Sequence, residues 1–198
     1  MNDRLQLETP SLVLRPLAPG DAPRILEMSR EPCARRWLPS QVCRDARHAA
    51  EVVAHLVGQF ELRAHPRTHA FVFGIVEKAD GRLVGHVGLS PLFDAVEVGF
   101  GIAADRQGRG YATEAVGRAC GWALEQFSLP AILGVTDAEN VASQRVLVRS
   151  GFRRKEERRM RLQGVDRPVV IWELTASGAS GPALRGQPGC AVQESAQG

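Results

Sequence analysis

Between Glu97 and Phe127 the chain changes its hydrophobic period once, and that change constrains the fold more than any other feature. Glu97-Val98-Gly99-Phe100-Gly101-Ile102 alternates with period two, as a strand does. Ala112, Ala115, Val116, Ala119, Cys120, Ala123, Leu124 and Phe127 then recur at helical spacing. Between them lies Ala103-Ala104-Asp105-Arg106-Gln107-Gly108-Arg109-Gly110-Tyr111, so a strand runs into a glycine-bearing loop that opens a helix. The first turn of a helix has unpaired N–H groups and the positive end of the dipole, and it attracts a phosphate. A tight turn would need one glycine. Two, Gly108 and Gly110, with Arg106 and Arg109 beside them, favour an anion site.

The same punctuation divides the rest of the chain. Leu12 to Leu17 reads as a first strand, and Pro19-Gly20-Asp21 ends it, with Asp21 as helix N-cap and Pro23 in the first turn. Arg35-Arg36-Trp37-Leu38-Pro39 interrupts this short helix. A longer one carries Val52, Val53, Leu56, Val57 and Phe60. Phe71–Val76 and Leu83–Leu89 form strands around the Asp80-Gly81 turn. Pro130 closes the helix that follows the glycine loop, and Ile132–Val135 is the next strand. Asn140–Ser150 is a short helix closed by Gly151. Two final strands surround Gln163-Gly164, the second being Val169–Leu174.

The order β-α-α-β-β-β-α-β-α-β-β predicts one α/β (α+β) domain over residues 1–175, and 44% hydrophobic content over 198 residues suits a substantial core. Residues 176–198 are rich in Gly, Ala, Ser and Pro and predict a disordered tail. A formal charge of +3 does not by itself indicate nucleic-acid binding. The cations are nearly all arginine, which suits phosphate contacts but also follows from codon bias. The strongest apolar run, Phe71–Val76, is too short for a membrane helix, and the N-terminus lacks a secretory h-region. Cys33, Cys43, Cys120 and Cys190 show no CxxC spacing, and the five His are scattered, so cytoplasmic thiols and no metal site are expected.

A P-loop requires Gly-Lys-Ser/Thr at its end, and a dinucleotide fingerprint a third glycine where Thr113 stands; neither fits. Gln107-x-x-Gly110-x-Ala112 instead resembles the acetyl-CoA pyrophosphate signature of the GNAT N-acetyltransferase superfamily. With the preceding strand, Asn140-x-Ala142-Ser143-x-Arg145-Val146-Leu147, Gly151-Phe152 and the opening Leu12–Leu17, the chain is similar to the RimJ/RimL branch, the ribosomal-protein N-acetyltransferase-like enzymes. The resemblance spans roughly residues 8–175. It implies a mixed, mostly antiparallel central sheet with helices on both faces. It also implies acetyl-CoA as co-substrate and direct attack by an amine in a ternary complex. Gln107, Gly108, Arg109, Gly110, Tyr111 and Ala112 would hold the pyrophosphate. The backbone at Phe100, Gly101 and Ile102 would pair with the pantetheine, and Asn140 and Ser143 would lie along its thiol end. Helices around Arg36 and Trp37 would wall the acceptor site.

Glu97 can be argued from the residues alone. Val96, Val98, Phe100 and Ile102 share one face, leaving Glu97 beside Gly99 and Gly101 on a face with open space. An amine attacking a thioester must first lose a proton, and a positioned carboxylate takes it; an edge-exposed surface Glu is the alternative. Many relatives use a Tyr to protonate the leaving thiolate. That position here is Val148, and the chain's single tyrosine is Tyr111, so Ser143 is the expected substitute, acting as acid or only as a cofactor contact. A hairpin turning near Leu92 would bring His86 and Gly88 beside Glu97 and Gly99, where His86 could relay protons or be merely structural. Arg145–Arg167 carries a local charge of +6, read as a solvated face, a contact to the CoA 3′-phosphate or a binder of an acidic or RNA-bearing partner. The acceptor would be a protein N-terminus or a small amine. Ribosome association and a homodimer are the partners to look for, without membrane or DNA. A non-catalytic ribosome- or RNA-binding module on the same fold is the alternative of another class.

Overall fold

In the structure, a computed structural model describing residues 5–62, 65–162 and 164–176, eight strands form one sheet. They are β1 (Leu7–Glu8), β2 (Leu12–Pro16), β3 (Phe71–Glu77), β4 (Leu83–Leu92), β5 (Ala95–Ile102), β6 (Ala131–Asp137), β7 (Arg153–Leu162) and β8 (Val165–Thr175). Their order across the sheet is β1-β2-β3-β4-β5-β6-β8-β7. Every pair is antiparallel except β5–β6. A parallel neighbour needs a crossover connection, which the helix α4 (Tyr111–Gln126) supplies.

Alternation in the strands sorts side chains between two layers. Phe71, Phe73 and Ile75 of β3 join Val87, Leu89, Val96 and Val98 under α4, whose Ala115, Val116, Ala119, Cys120 and Ala123 are all buried. Small residues on that stripe let the helix lie close to the sheet. Val72 and Val76 face the opposite layer, where α1 (Ala22–Ser29) and α3 (Ala46–Glu61) pack through Met28, Ala49 and Val53 around Leu17, Leu83 and Ala103. The expected mixed sheet with helices on both faces is what the chain forms.

Several local expectations need correction. Three α-helices, not two, precede β3 among the described residues: Arg35, Arg36 and Trp37 do not interrupt a helix but belong to α2 (Pro32–Trp37), which starts on Pro32 at a position that needs no N–H. Asp21 stands at the N-cap of α1 without a side-chain cap bond; it accepts from Ala18 N–H at 2.7 Å and pairs with Arg15. The helix α4 ends at Gln126, before Pro130, with Ser128 at φ 48° in the turn. The disordered-tail expectation lies outside the described residues but for Ala176, as does Cys190.

Candidate active site

β5 and β6 are paired only at Glu97↔Leu133 and Val98↔Gly134. Beyond that point the two strands fork, while β5 stays paired to β4 as far as Ile102. The β6-facing edge of Gly99 to Ile102 therefore presents backbone donors and acceptors to no other strand, an edge that an extended amide-bearing ligand can complete. Phe100, Gly101 and Ile102, the residues expected against a pantetheine, lie along this edge.

The mouth of the fork is bounded by the glycine loop. Gly108 (φ 77°) and Gly110 (φ 84°) occupy the left-handed region that glycine adopts readily, and a Cβ at either would meet open space. Among the described residues, Glu114 is the first donor of the α4 turn to find a backbone acceptor, Gly110 O at 3.1 Å. The amides of residues 108–113 thus stay available to an anion. Glu114 fixes the turn by accepting from Ser11 N–H at 2.7 Å and from the Thr9 hydroxyl. Gln107 does not reach outward with its side chain. Its amide donates to Ile102 O at 2.9 Å, tying the loop to the strand end, and approaches Cys33 Sγ at 3.4 Å.

The two arginines of the loop differ. The Arg106 guanidinium is occupied by Glu77 (2.8 Å), Asp105 (3.0 Å) and Asp80 (3.4 Å), so it is not the free phosphate-facing charge its sequence position suggests. Arg109 is 50% exposed and only loosely paired, 3.6 Å from Glu77. Glu77, buried at the end of β3, also accepts from the Tyr111 hydroxyl. That bond and the one from Arg106 hold its carboxyl below the usual carboxylate range.

At the vertex of the fork, Glu97 is half-buried beside an exposed Gly99 whose absent side chain leaves open space. Its carboxylate makes no hydrogen bond or ion pair among the described residues, and burial raises its pKa above the ordinary range. On the far arm of the fork, Asn140 caps α5 (Val141–Arg149), accepting from Ser143 N–H at 3.1 Å. The half-buried Ser143 hydroxyl makes no hydrogen bond among the described residues.

The β4–β5 register changes the place of His86. Leu92 pairs with Ala95, so Gly88 lies opposite Gly99 as expected, but Ser90 lies opposite Glu97 and His86 opposite Gly101. The turn residue responsible is Phe93, at φ 53° with no glycine to announce it. His86 therefore sits four pairs from Glu97 and abuts Gly101, where a Cβ would be 3.0 Å from its Cε1. Burial pushes its imidazole down to about 4, so it is neutral near pH 7.

The helix α2 crosses between the two arms. Glu31, just before it, accepts from Ala104 N–H at 2.8 Å on the loop side. At its other end Arg36 stacks over Trp37 (4.4 Å to the ring centroid) and reaches Glu139 at 3.4 Å, next to Asn140. The basic stretch falls partly on α5 and partly on β7, the sheet's edge strand. There Arg154, Lys155, Arg158 and Arg159 pair with Glu157, Glu173, Glu156 and Asp166. Paired charges along an edge are a common guard against strand addition, which supports the solvated-face reading.

The fork and the glycine-bearing loop at its mouth thus lie within one mixed sheet, the frame on which the comparisons bear. The acetyltransferase (GNAT) domain model matches residues 11–153, and the chain belongs to that family. It is an N-acetyltransferase that uses acetyl-CoA as donor. None of the curated proteins is a significant match. Similar solved structures include the acetyltransferase (GNAT family) from Bacillus anthracis, with TM-score 0.74 and 18% identity over 87% of this chain and 99% of that one. A ribosomal-protein-S5-alanine acetyltransferase from Vibrio fischeri has TM-score 0.69 and 20% identity, covering 87% and 97%. The microcin C7 self-immunity acetyltransferase MccE, solved with acetyl-CoA and AMP, has TM-score 0.70 and 14% identity, covering 84% and 93%.

Proposed function

We propose that this enzyme acetylates the N-terminal α-amine of a protein, of the ribosomal-protein type, by direct attack on acetyl-CoA. The observation that carries the chemistry is the fork itself, with an unpartnered, partly buried carboxylate at its vertex beside a residue without a side chain. The N-terminal preference rests on the resemblance to the RimJ/RimL branch and on the likeness to the Vibrio fischeri enzyme.

In this reading the amides of residues 108–113, with Arg109, hold the diphosphate, and the unpaired edge of Phe100 to Ile102 orients the pantetheine. The α2 segment with Arg36 and Trp37 lies over the acceptor side. Glu97 takes a proton from the ammonium, and the freed nitrogen lone pair bonds to the thioester carbonyl carbon. Collapse breaks the carbon–sulfur bond; the Ser143 hydroxyl gives its proton to the departing sulfur, and the second proton, released from the nitrogen as the amide forms, returns to the serine oxygen. A raised pKa suits Glu97 to this task, because a base matched more nearly to the amine removes its proton more readily. Its rate limb therefore falls above the usual carboxylate range, with activity lost as pH falls through it.

Glu97→Gln is expected to lower kcat by roughly 10²–10⁴-fold and erase the acid limb, with acetyl-CoA affinity little changed. Unchanged turnover across pH removes Glu97 as base, and full kcat in Ser143→Ala removes the serine as acid. The acceptor is tested by acetylation of peptides with free and blocked N-termini beside a set of polyamines, aminoglycosides and amino-acid derivatives. Transfer to the small amines alone would overturn the N-terminal assignment.

A further inference from the structure

The loop proposed to take the diphosphate is braced from beneath by a residue that neither its sequence position nor the loop's motif points to. Glu77 is the last residue of β3, 6% exposed, and its backbone closes the β3–β4 turn through Glu77 N–H to Arg82 O and Gly81 N–H to Glu77 O, both at 2.9 Å. From that fixed position one carboxylate oxygen accepts from Arg106 Nε at 2.8 Å. The other accepts from the Tyr111 hydroxyl and stands 3.6 Å from Arg109 Nη1. Three residues on both sides of Gly108 and Gly110 thus converge on a single buried carboxylate. The glycines give the loop its freedom of conformation, and without a brace their amides would have to be ordered at the cost of ligand affinity.

We propose that Glu77 is a positioning residue for the diphosphate-binding loop. By holding Arg106 and Tyr111 it sets the two ends of the amide cradle, and by its looser contact with Arg109 it keeps that half-exposed guanidinium beside the cradle, ready to turn to the anion. The inference rests on the assignment of residues 108–113 to the diphosphate.

Simple charge arithmetic makes the opposite prediction. Glu77 is an anion close to where another anion binds, and replacing it with glutamine leaves Arg106 and Arg109 with one carboxylate fewer. Coulomb attraction alone would then tighten acetyl-CoA binding. The structure favours the positioning effect because the carboxylate is already matched by guanidinium groups, whereas nothing else described reaches Tyr111 and Arg106 together.

The test uses the full chain with Glu77→Gln, Tyr111→Phe and Gly110→Trp. Rates are measured with acetyl-CoA and with acetyl-pantetheine, which has the thioester but no diphosphate. For Glu77→Gln we expect KM for acetyl-CoA to rise about tenfold with kcat within about twofold, and kcat/KM for acetyl-pantetheine to stay unchanged. Tyr111→Phe, which removes one of the hydrogen bonds and keeps the backbone amide, is expected to move the same KM about threefold. It carries the test if the glutamine variant fails to fold. Unchanged or tighter acetyl-CoA binding in the folded variants overturns the proposal, as does equal damage with both donors. If Gly110→Trp also leaves acetyl-CoA kinetics intact, the loop assignment itself has failed; if it abolishes them while Glu77→Gln does nothing, only the role of Glu77 has.

Discussion

A neutral imidazole packed against Gly101 of β5 makes stability depend on pH in a defined window. The folded protein holds His86 near pKa 4, against 6.5 for a free side chain. Below pH 6.5 the unfolded chain takes up a proton that the native state does not, so this group's contribution is whole above 6.5. It is lost progressively down to about 4 and is flat below. A displacement of this size corresponds to about 3 kcal/mol, or roughly 6–12 °C in Tm for a domain of this length. The assay is thermal unfolding of the wild type and His86→Leu from pH 7.5 to 4. Other groups titrate in both proteins and cancel, so the difference between the curves isolates the imidazole. The gap is expected to close in the variant's favour as pH falls. Parallel curves would mean that the native imidazole titrates normally and that its packing against Gly101 does not exclude the charged form.

Three further expectations test the frame of the site. Gly85→Ala places a Cβ 2.3 Å from Gly101 O and 2.8 Å from Ile102 Cδ1, forcing β4 off β5. A loss of about 3 kcal/mol in urea unfolding is expected, and a neutral substitution would contradict the register. Gly110→Ala meets no atom, so its cost of about 1–2 kcal/mol comes from φ alone, and an unchanged midpoint would deny the left-handed turn. Asn140→Ala removes the cap of α5 and is expected to cost about 1 kcal/mol, read as a lower urea midpoint; no change would show that the Ser143 N–H is satisfied without it.

How much of this was legible in the sequence follows from the range of each interaction. The strand–loop–helix from Glu97 to Gln126 could be read because its signals, alternation, paired glycines and helical spacing, are all local. So could the orientation of Glu97, since alternation with buried Val96 and Val98 fixes its face wherever the strand lies. The place of His86 depends on strand pairing rather than on spacing along the chain: with Gly88 opposite Gly99, antiparallel order carries His86 away from Glu97, to Gly101. The part played by Arg106 was hidden for the same reason: its partners Glu77 and Asp80 lie 29 and 26 residues upstream, and no spacing rule joins them. The helix α2 was read as an interruption because six residues are too few to display a period, although Pro32 at its start was a usable signal. The fork between β5 and β6 has no signature in either strand, since it is a property of their pairing.

The central claim, that acetyl-CoA binds at the mouth and edge of this fork, is tested most directly by thermal unfolding with and without acetyl-CoA, in the wild type and in Gly110→Trp. Donor at about 100 times its dissociation constant stabilises the fold by roughly 2.7 kcal/mol. The account predicts that upward shift in the wild type and its loss in a variant that still unfolds cooperatively, because the added ring occupies the space open beside Gly110. An absence of any shift at saturating acetyl-CoA, or an equal shift in both proteins, would contradict it.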